Sequence, residues 1–286
     1  MGYREEAAPA GSGLARLWRQ VVPVDAGRVV QRVVPDGCVD LIWWSRDAEF
    51  TVAGPDTGPM PTPLEPGEEL VGVRFAPGRA APLLGVPADA LRDARVPLSE
   101  LWGDDAVRLG ELVAHAVPHS PGAPTRPHAP APPHWPGAPT LPHAPAPSLS
   151  SARPLSSEWL VVPDGDQRWD VLVSAVVERG RTAGPVDPMV APVVRGLASG
   201  ASVRDVADAV GLSERQLRRR ALVAFGYGPK VLQRVLRFQR VLRAARAGVP
   251  AADAAVGAGY ADQAHMAHEV RELAGVPLGV LLGKDG

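Results

Sequence analysis

Five long polar side chains fall within six consecutive positions of this sequence: Arg215, Gln216, Arg218, Arg219 and Arg220. A guanidinium presents a planar fork of donors that fits the N7 and O6 acceptors of guanine, and a carboxamide fits the acceptor and donor edge of adenine. For that chemistry the side chains need a rigid element narrow enough for a major groove. The segment SVRDVADAVGLSERQLRRRALVAF, residues 202 to 225, supplies one. Ser202 is placed to cap a first short helix whose Val203, Val206, Ala207 and Val210 share a face, and Gly211 ends it. Leu212 turns inward, Ser213 caps a second helix over 213–225, and Leu217, Ala221, Ala224 and Phe225 give that helix an apolar stripe. The arginines project from its N-terminal half, where a helix-turn-helix presents side chains to bases. A helical hairpin with a solvated arginine face has the same local pattern, so the decision falls to the residues around it.

The other residues able to do chemistry are few. The single cysteine, Cys38, lies in DGCVDL between Asp36 and Asp40; flanking carboxylates raise a thiol pKa, which suits an inert buried thiol better than a nucleophile. The first histidine is His115, so the N-terminal half lacks the clustered imidazoles of a metal-dependent β-barrel enzyme, and neither a metal nor a cofactor is expected. Asp36, Asp40 and Asp56 are the acid–base candidates for a metal-free enzyme, but aspartates beside glycine and proline are usually turn residues. Trp43, Trp44 and Trp102 are candidates to line a ligand pocket. Trp43 and Trp44 must point to opposite faces if their run is a strand, so one of the pair is free to face a pocket or partner.

The elements that position these residues fall into two domains and a linker, for a chain of 286 residues. Residues 1–117 form a mixed, strand-rich domain. Val29 to Val34, Val39 to Trp44, Phe50 to Ala53 and Leu70 to Phe75 are short β-branched or aromatic runs separated by Pro-Asp-Gly, Gly-Pro-Asp and Pro-Gly turns, the spacing of a small sandwich or open barrel. Helical patterns follow at 78–84 and 104–116. Residues 118–166 are a linker: 13 prolines lie between 118 and 154, and PGAPTRPHAPAP at 121–132 recurs as PGAPTLPHAPAP at 136–147. Such a segment has little to bury and predicts an extended chain. Its His119, His128, His134 and His143 are read as passengers of the repeat. Residues 167–286 are an all-α domain, with supporting helices at 168–179 and after Asp187-Pro188, giving an α+β protein overall.

Charge separates the halves. From Pro188 onward there are 14 Lys and Arg against 8 Asp and Glu, and before it 16 against 23. The basic end is where contacts to a polyanion belong. The N-terminus lacks an apolar signal region, no run approaches the ~18 apolar residues of a membrane span, and a lone cysteine argues against a disulfide framework, so a cytoplasmic location is expected.

Beyond Phe225, the turn GYGP leads into a helix over 229–246. Arg234, Arg237, Arg240, Arg243 and Arg246 recur along it every third residue; at ~3.6 residues per turn they wrap around the helix, so two or three can face one phosphate strand and the rest are expected in solvent. A second helix-turn-helix follows, with a small-residue helix at 251–258, a turn at Gly259-Tyr260, Asp262 as cap and a recognition helix at 262–274 ended by Gly275. The linking helix rises about 27 Å, somewhat less than the ~34 Å between successive major-groove faces, so one chain can address two adjacent grooves.

With VADAVGLSERQLRRR, FGYGPKVLQRVLRFQRVLR and GAGYADQAHMAHEVRELAGVPL in the right order, residues 188–282 resemble the AraC/XylS family of transcription regulators, and PDGCVDLIWW, VAGPDT, VGVRFAPG and LLGVPADALRD are similar to a sensor-like domain on actinobacterial members of that family. The resemblance implies a DNA-binding regulator rather than an enzyme. It implies double-stranded DNA as partner, with a small-molecule effector, RNA polymerase and a second copy of the chain as further partners. By position it assigns DNA contact to Ser213, Arg215, Gln216, Arg218, Arg219 and Lys230 in the first unit, and to Gln263, His265 and His268 in the second. The chain departs from the pattern at Ala221, where Phe is frequent, and at His268, where Arg is usual. A repair alkyltransferase carries the same kind of DNA-binding module, but its chemistry would rest on Cys38 alone.

Overall fold

The computed structural model describes residues 2–116 and 166–283; the Pro-rich repeat and its four histidines lie outside them. The N-terminal half is built from eight strands and three short helices: β1 (Gly2–Ala7), β2 (Leu14–Val21), β3 (Val29–Val33), β4 (Asp40–Trp44), β5 (Glu49–Ala53), β6 (Met60–Leu64), β7 (Glu69–Phe75), α1 (Ala80–Leu84), β8 (Arg95–Pro97), α2 (Ser99–Trp102) and α3 (Asp104–His115). Six strands form one antiparallel sheet in the order β1-β2-β7-β4-β5-β8, and β3 and β6 pair separately. The four strands legible in the sequence are present, within a residue or so of their expected bounds. β1, β2, β6 and β8 were not legible.

Strict alternation gives the large sheet two different faces. Leu17, Leu41, Trp43, Val52, Val71, Val73 and Phe75 point one way and are buried against α1, α2 and α3. Trp18, Trp44 and Leu70 point the other way and meet Leu64 of β6 and Val29 of β3. The consecutive tryptophans of β4 therefore divide: Trp43 joins the helix-covered core, while Trp44 faces the β3–β6 ribbon. Gly72 of β7 is required by this arrangement, because a Cβ there would overlap the indole of Trp18.

The helices of the C-terminal half are α4 (Gln167–Thr182), α5 (Val190–Ala198), α6 (Val203–Ala209), α7 (Glu214–Phe225), α8 (Pro229–Arg246), α9 (Ala251–Ala258), α10 (Gln263–Ala274) and α11 (Leu278–Leu281). The sequence groups α4 with the helix-turn-helix units; the structure packs it elsewhere. Its Trp169, Leu172, Val173 and Val176 are buried in the N-terminal core, Trp169 Nε1 donates to the Trp18 carbonyl at 3.2 Å, and Arg168 and Arg179 lie over the rings of Trp43 and Trp102. The apolar stripe of α4 thus completes the outer layer of the sheet.

Two further cores hold the rest. Met189, Val193, Leu197, Val206, Leu217, Phe225, Tyr227, Leu232 and Val235 unite α5, α6, α7 and the start of α8. Phe238, Val241, Leu242, Ala255, Tyr260, Met266, Val270 and Leu273 unite its other end with α9 and α10. The chain is an α+β protein with a strand-rich N-terminal domain and a helical C-terminal region.

Candidate nucleic-acid interface and the adjoining cavity

The first unit is assembled by local hydrogen bonds. The Ser202 hydroxyl accepts from Asp205 N at 3.1 Å. Ser213 and Gln216 form a capping box, in which Ser213 Oγ accepts from Gln216 N at 3.3 Å and Gln216 Oε1 accepts from Ser213 N at 2.9 Å. Two of the expected base-contacting residues therefore spend their oxygens on starting α7, and Gln216 keeps its amide N–H groups free. Arg215, Arg218 and Arg219 are exposed along the same helix. Arg220 does not join them: its guanidinium pairs with both carboxylate oxygens of Asp187, tying α7 to the turn before α5, and this pairing holds the Asp187 carboxyl below its usual range. Lys230 is exposed in the first turn of α8.

The second unit repeats the plan. Asp262 Oδ1 accepts from His265 N at 2.7 Å, and Gly275, in the left-handed conformation, stops α10. Gln263, His265 and His268 are exposed; the His265 ring stands edge-on to Tyr260, and His268 Nε2 lies 3.3 Å from Glu272. Among the described residues, no group of three or more His, Cys, Asp or Glu is placed to hold a metal ion.

The arginine series along α8 is mostly not a solvated face. Arg237 donates to Glu269 through Nε at 3.2 Å and Nη2 at 2.6 Å and stacks over the Tyr260 ring. Arg234 reaches both Glu269 and Glu272, and Arg240 donates to the Ala258 carbonyl at 2.9 Å. Tyr260 Oη also donates to Glu269, at 2.6 Å. Burial pushes the Glu269 carboxyl up, but the hydrogen bonds from Arg237, Tyr260 and Arg234 outweigh it and hold it below its ordinary value. Three of the five arginines thus fasten the second unit to the linking helix.

The linking helix also meets the N-terminal domain. A cavity of about 520 Å³ lies between the inner sheet face and the β3–β6 ribbon, and Gln239, Leu242 and Arg246 of α8 form part of its wall. Gln239 Nε2 donates to the Pro35 carbonyl at 2.7 Å. The segments bordering the cavity meet the C-terminal ends of α7 and α10. Asp56 faces in, while neighbouring Pro55 and the Ala88 carbonyl occupy the space that a Cβ on Gly226, at the end of α7, would need, and the Gly226 carbonyl accepts from Arg92 at 3.2 Å. Gln31 and Val33 face in, while Arg32 between them donates to the Ala274 carbonyl at the end of α10 at 3.4 Å.

Of the tryptophans proposed for a pocket, Trp44 lines this cavity, whereas Trp43 and Trp102 are core residues. The sequence missed Trp18, Gln20, Arg74 and Arg95. A signal existed for one pair: Asp40 and Arg74 are charged residues inside otherwise apolar strands, and β4 and β7 set them directly opposite each other. Asp36, Asp40 and Asp56 are more than turn residues. Arg74 donates to the two oxygens of Asp40 at 2.9 and 2.8 Å and lies 3.3 Å from Asp36, and Arg95 grips Asp56 at 2.8 Å to each oxygen. Burial pushes the Asp40 and Asp56 carboxyls up despite these partners.

Residues 206–283 match the family described as a helix-turn-helix domain. This region is similar to AraC-type helix-turn-helix domains. Residues 14–97, ahead of it, match a family described as a domain of unknown function (DUF6597). No curated protein sequence matches the chain. Among solved structures the chain is similar to ToxT from Vibrio cholerae. The complex of ToxT with (E)-4-(8-methylnaphthalen-1-yl)but-3-enoic acid is 8% identical with a TM-score of 0.46, covering 99% of each chain. ToxT with a bound unsaturated fatty acid is 9% identical with a TM-score of 0.43, covering 98% of this chain and 94% of that one. Within the matched region, Arg215, Arg218 and Arg219 of α7 and Gln263, His265 and His268 of α10 are exposed. No helix among the described residues is long and apolar enough to cross a membrane.

Proposed function

We propose that the chain is a sequence-specific transcription regulator that lays α7 and α10 into adjacent major grooves and adjusts their engagement in response to a small molecule held by the N-terminal domain. The observation that carries this reading is the threefold role of α8. It joins the two units, packs into the core of each and lines the N-terminal cavity, so a ligand there touches the element that fixes the relative placement of both recognition helices.

In this reading Arg215, Arg218 and Arg219 read base edges, with Gln216 adding its amide N–H groups and Ser213 serving as the cap that orients them. Lys230 neutralises a phosphate, and Gln263, His265 and His268 contact the second groove. The protein acts in the cytoplasm, on DNA. Cys38 does not suit alkyl transfer: burial, then the charge of Asp36, pushes its thiol well above the ordinary range, leaving little thiolate.

The test is selection of bound sequences from a randomised duplex pool with the full chain at two salt concentrations. The expected product is a site with two boxes about one helical turn apart. Arg219→Ala removes sequence preference at the first box, and Lys230→Ala weakens all sites alike and lowers the salt slope by about one. Enrichment of no sequence, with binding that simply collapses in salt, refutes the proposal.

A further inference from the structure

The cavity lining is graded along β7. Leu70 and Arg74 lie four residues apart on that strand, about 13 Å at ~3.3 Å per residue, and cross-strand neighbours extend the gradient. Gln20 and Trp44 pair with Leu70 at one end. Trp18 lies over Gly72 in the middle, and Asp40, with Asp36 close by, faces Arg74 at the other end.

Polar groups at the two ends are unequally satisfied. The cavity is lined by Asp36, Asp40, Asp47, Glu49, Asp56 and Glu100 against Arg46, Arg74, Arg95 and Arg246. Arg74 and Arg95 are taken by their aspartates, and Arg46 by Glu68 at 3.1 Å and Asp47 at 3.3 Å. Arg246, exposed on α8, has no ion-pair partner among the described residues, and around Arg74 and Arg95 three carboxyls, Asp36, Asp40 and Asp56, share two guanidinium groups. Asp36 is the surplus one, its Oδ1 accepting from Cys38 N at 2.9 Å and its Oδ2 standing 3.3 Å from Arg74. The Cys38 thiol and the Tyr227 hydroxyl report the same negative field, since both are pushed up by burial first and by Asp36 next. At the opposite end the Gln20 side chain lines the cavity with its residue only 2% exposed, and it has no hydrogen-bond partner among the described residues. Its carboxamide opens on the cavity, so a ligand atom there can serve as its hydrogen-bond partner.

We infer that the cavity binds an elongated, flat organic cation: its positive centre beside Asp36, its ring system against Trp18 and Trp44, and an acceptor or amino group at its far end on Gln20. The aromatic walls favour such a molecule through cation–π attraction, and an anion would enter a space lined by more carboxyl than guanidinium groups. This assignment rests on reading the cavity as the effector site.

The test is fluorescence titration of the full chain, without DNA, with berberine, a flat cation bearing ring oxygens. Oxyberberine, the neutral lactam of the same ring system, and an anionic anilinonaphthalene sulfonate are titrated in parallel. Berberine is expected to bind saturably and at least about ten-fold more tightly than either of the others. Asp36→Asn, which keeps the acceptor for Cys38 N, weakens berberine about ten-fold and leaves oxyberberine unchanged, and Gln20→Leu weakens both about five-fold. Equal binding of the neutral lactam, tighter binding of the anion, or no binding of berberine overturns the inference, and the comparison of ligands on the parent chain needs no variant to fold. The DNA selection is an independent measurement, so a failure here leaves the reading of the recognition helices standing.

Discussion

Glu269→Gln tests how α10 is held against α8. Glu269 is 5% exposed and accepts from Tyr260 Oη, from both donors of Arg237 and from Arg234 Nε. Glutamine keeps the shape and one acceptor oxygen but turns an NH₂ group toward guanidinium donors, which leaves Arg237 and either Arg234 or Tyr260 short of a partner. Removing one side of a buried ion pair costs about 3–5 kcal/mol. Arg234 is partly exposed and retains Glu272, so the lower end applies, about 3 kcal/mol. If the chain unfolds as one unit this lowers Tm by roughly 6–12 °C; if the second unit undocks by itself, affinity for a two-box duplex falls about 100-fold while affinity for the first box alone is retained. Calorimetry and DNA titration measure the two outcomes.

Acid provides a second reading of the same contact. Because the folded carboxyl of Glu269 is held below its unfolded value, its contribution is complete above about pH 4.3 and is lost as pH falls through the folded value. The gap between parent and Glu269→Gln therefore narrows below that pH. A variant within about 0.5 kcal/mol of the parent at neutral pH, with unchanged two-box binding, would refute the argument that these arginines fasten α10 to α8.

Tyr227→Phe removes a hydroxyl that is buried without a hydrogen-bond partner beside Gly37; denaturant unfolding is expected to show equal or higher stability, by up to about 1 kcal/mol, and a clear loss would mean the hydroxyl is satisfied. Gly226→Ala puts a side chain on a left-handed residue, at φ +81°, against Pro55 and the Ala88 carbonyl. It is expected to cost about 2–3 kcal/mol and to increase protease cleavage where α7 meets the N-terminal domain, and unchanged cleavage would show that this contact does not hold the halves together. Gly72→Ala drives the Trp18 indole off β7; the expected results are a loss of about 1–3 kcal/mol and a shifted tryptophan emission, and parental values for both would contradict the placement of Trp18 over that strand.

Much of the interface was legible because its signals are local. Ser202, Ser213 and Asp262 cap helices, and Gly226, Gly259 and Gly275 end them, since a cap needs only donors three residues away and a stop needs only a left-handed position. The runs of β3, β4, β5 and β7 were found through their β-branched and aromatic residues and the turns that bound them. β2 was missed because LARLWRQV places Leu17 beside Trp18 and flanks them with arginines, a pattern that reads as a strand only when both faces of the sheet are covered. β8 is three residues ending in proline, too short to carry a period.

What the sequence by itself determined is the pair of helices proposed to read DNA: two capped helices of fixed register, with the side chains each can present. The tertiary structure alone decided which of those side chains remain available and which are already engaged. Arg220 is spent on Asp187, Arg234 and Arg237 on Glu269, α4 on the N-terminal core, and Trp44 rather than Trp43 on the cavity. The physical reason is distance along the chain. An ion pair between residues 32 or 35 positions apart, or a tryptophan buried under a helix more than 100 residues away, leaves no periodic trace in either partner and exists only once the elements have packed.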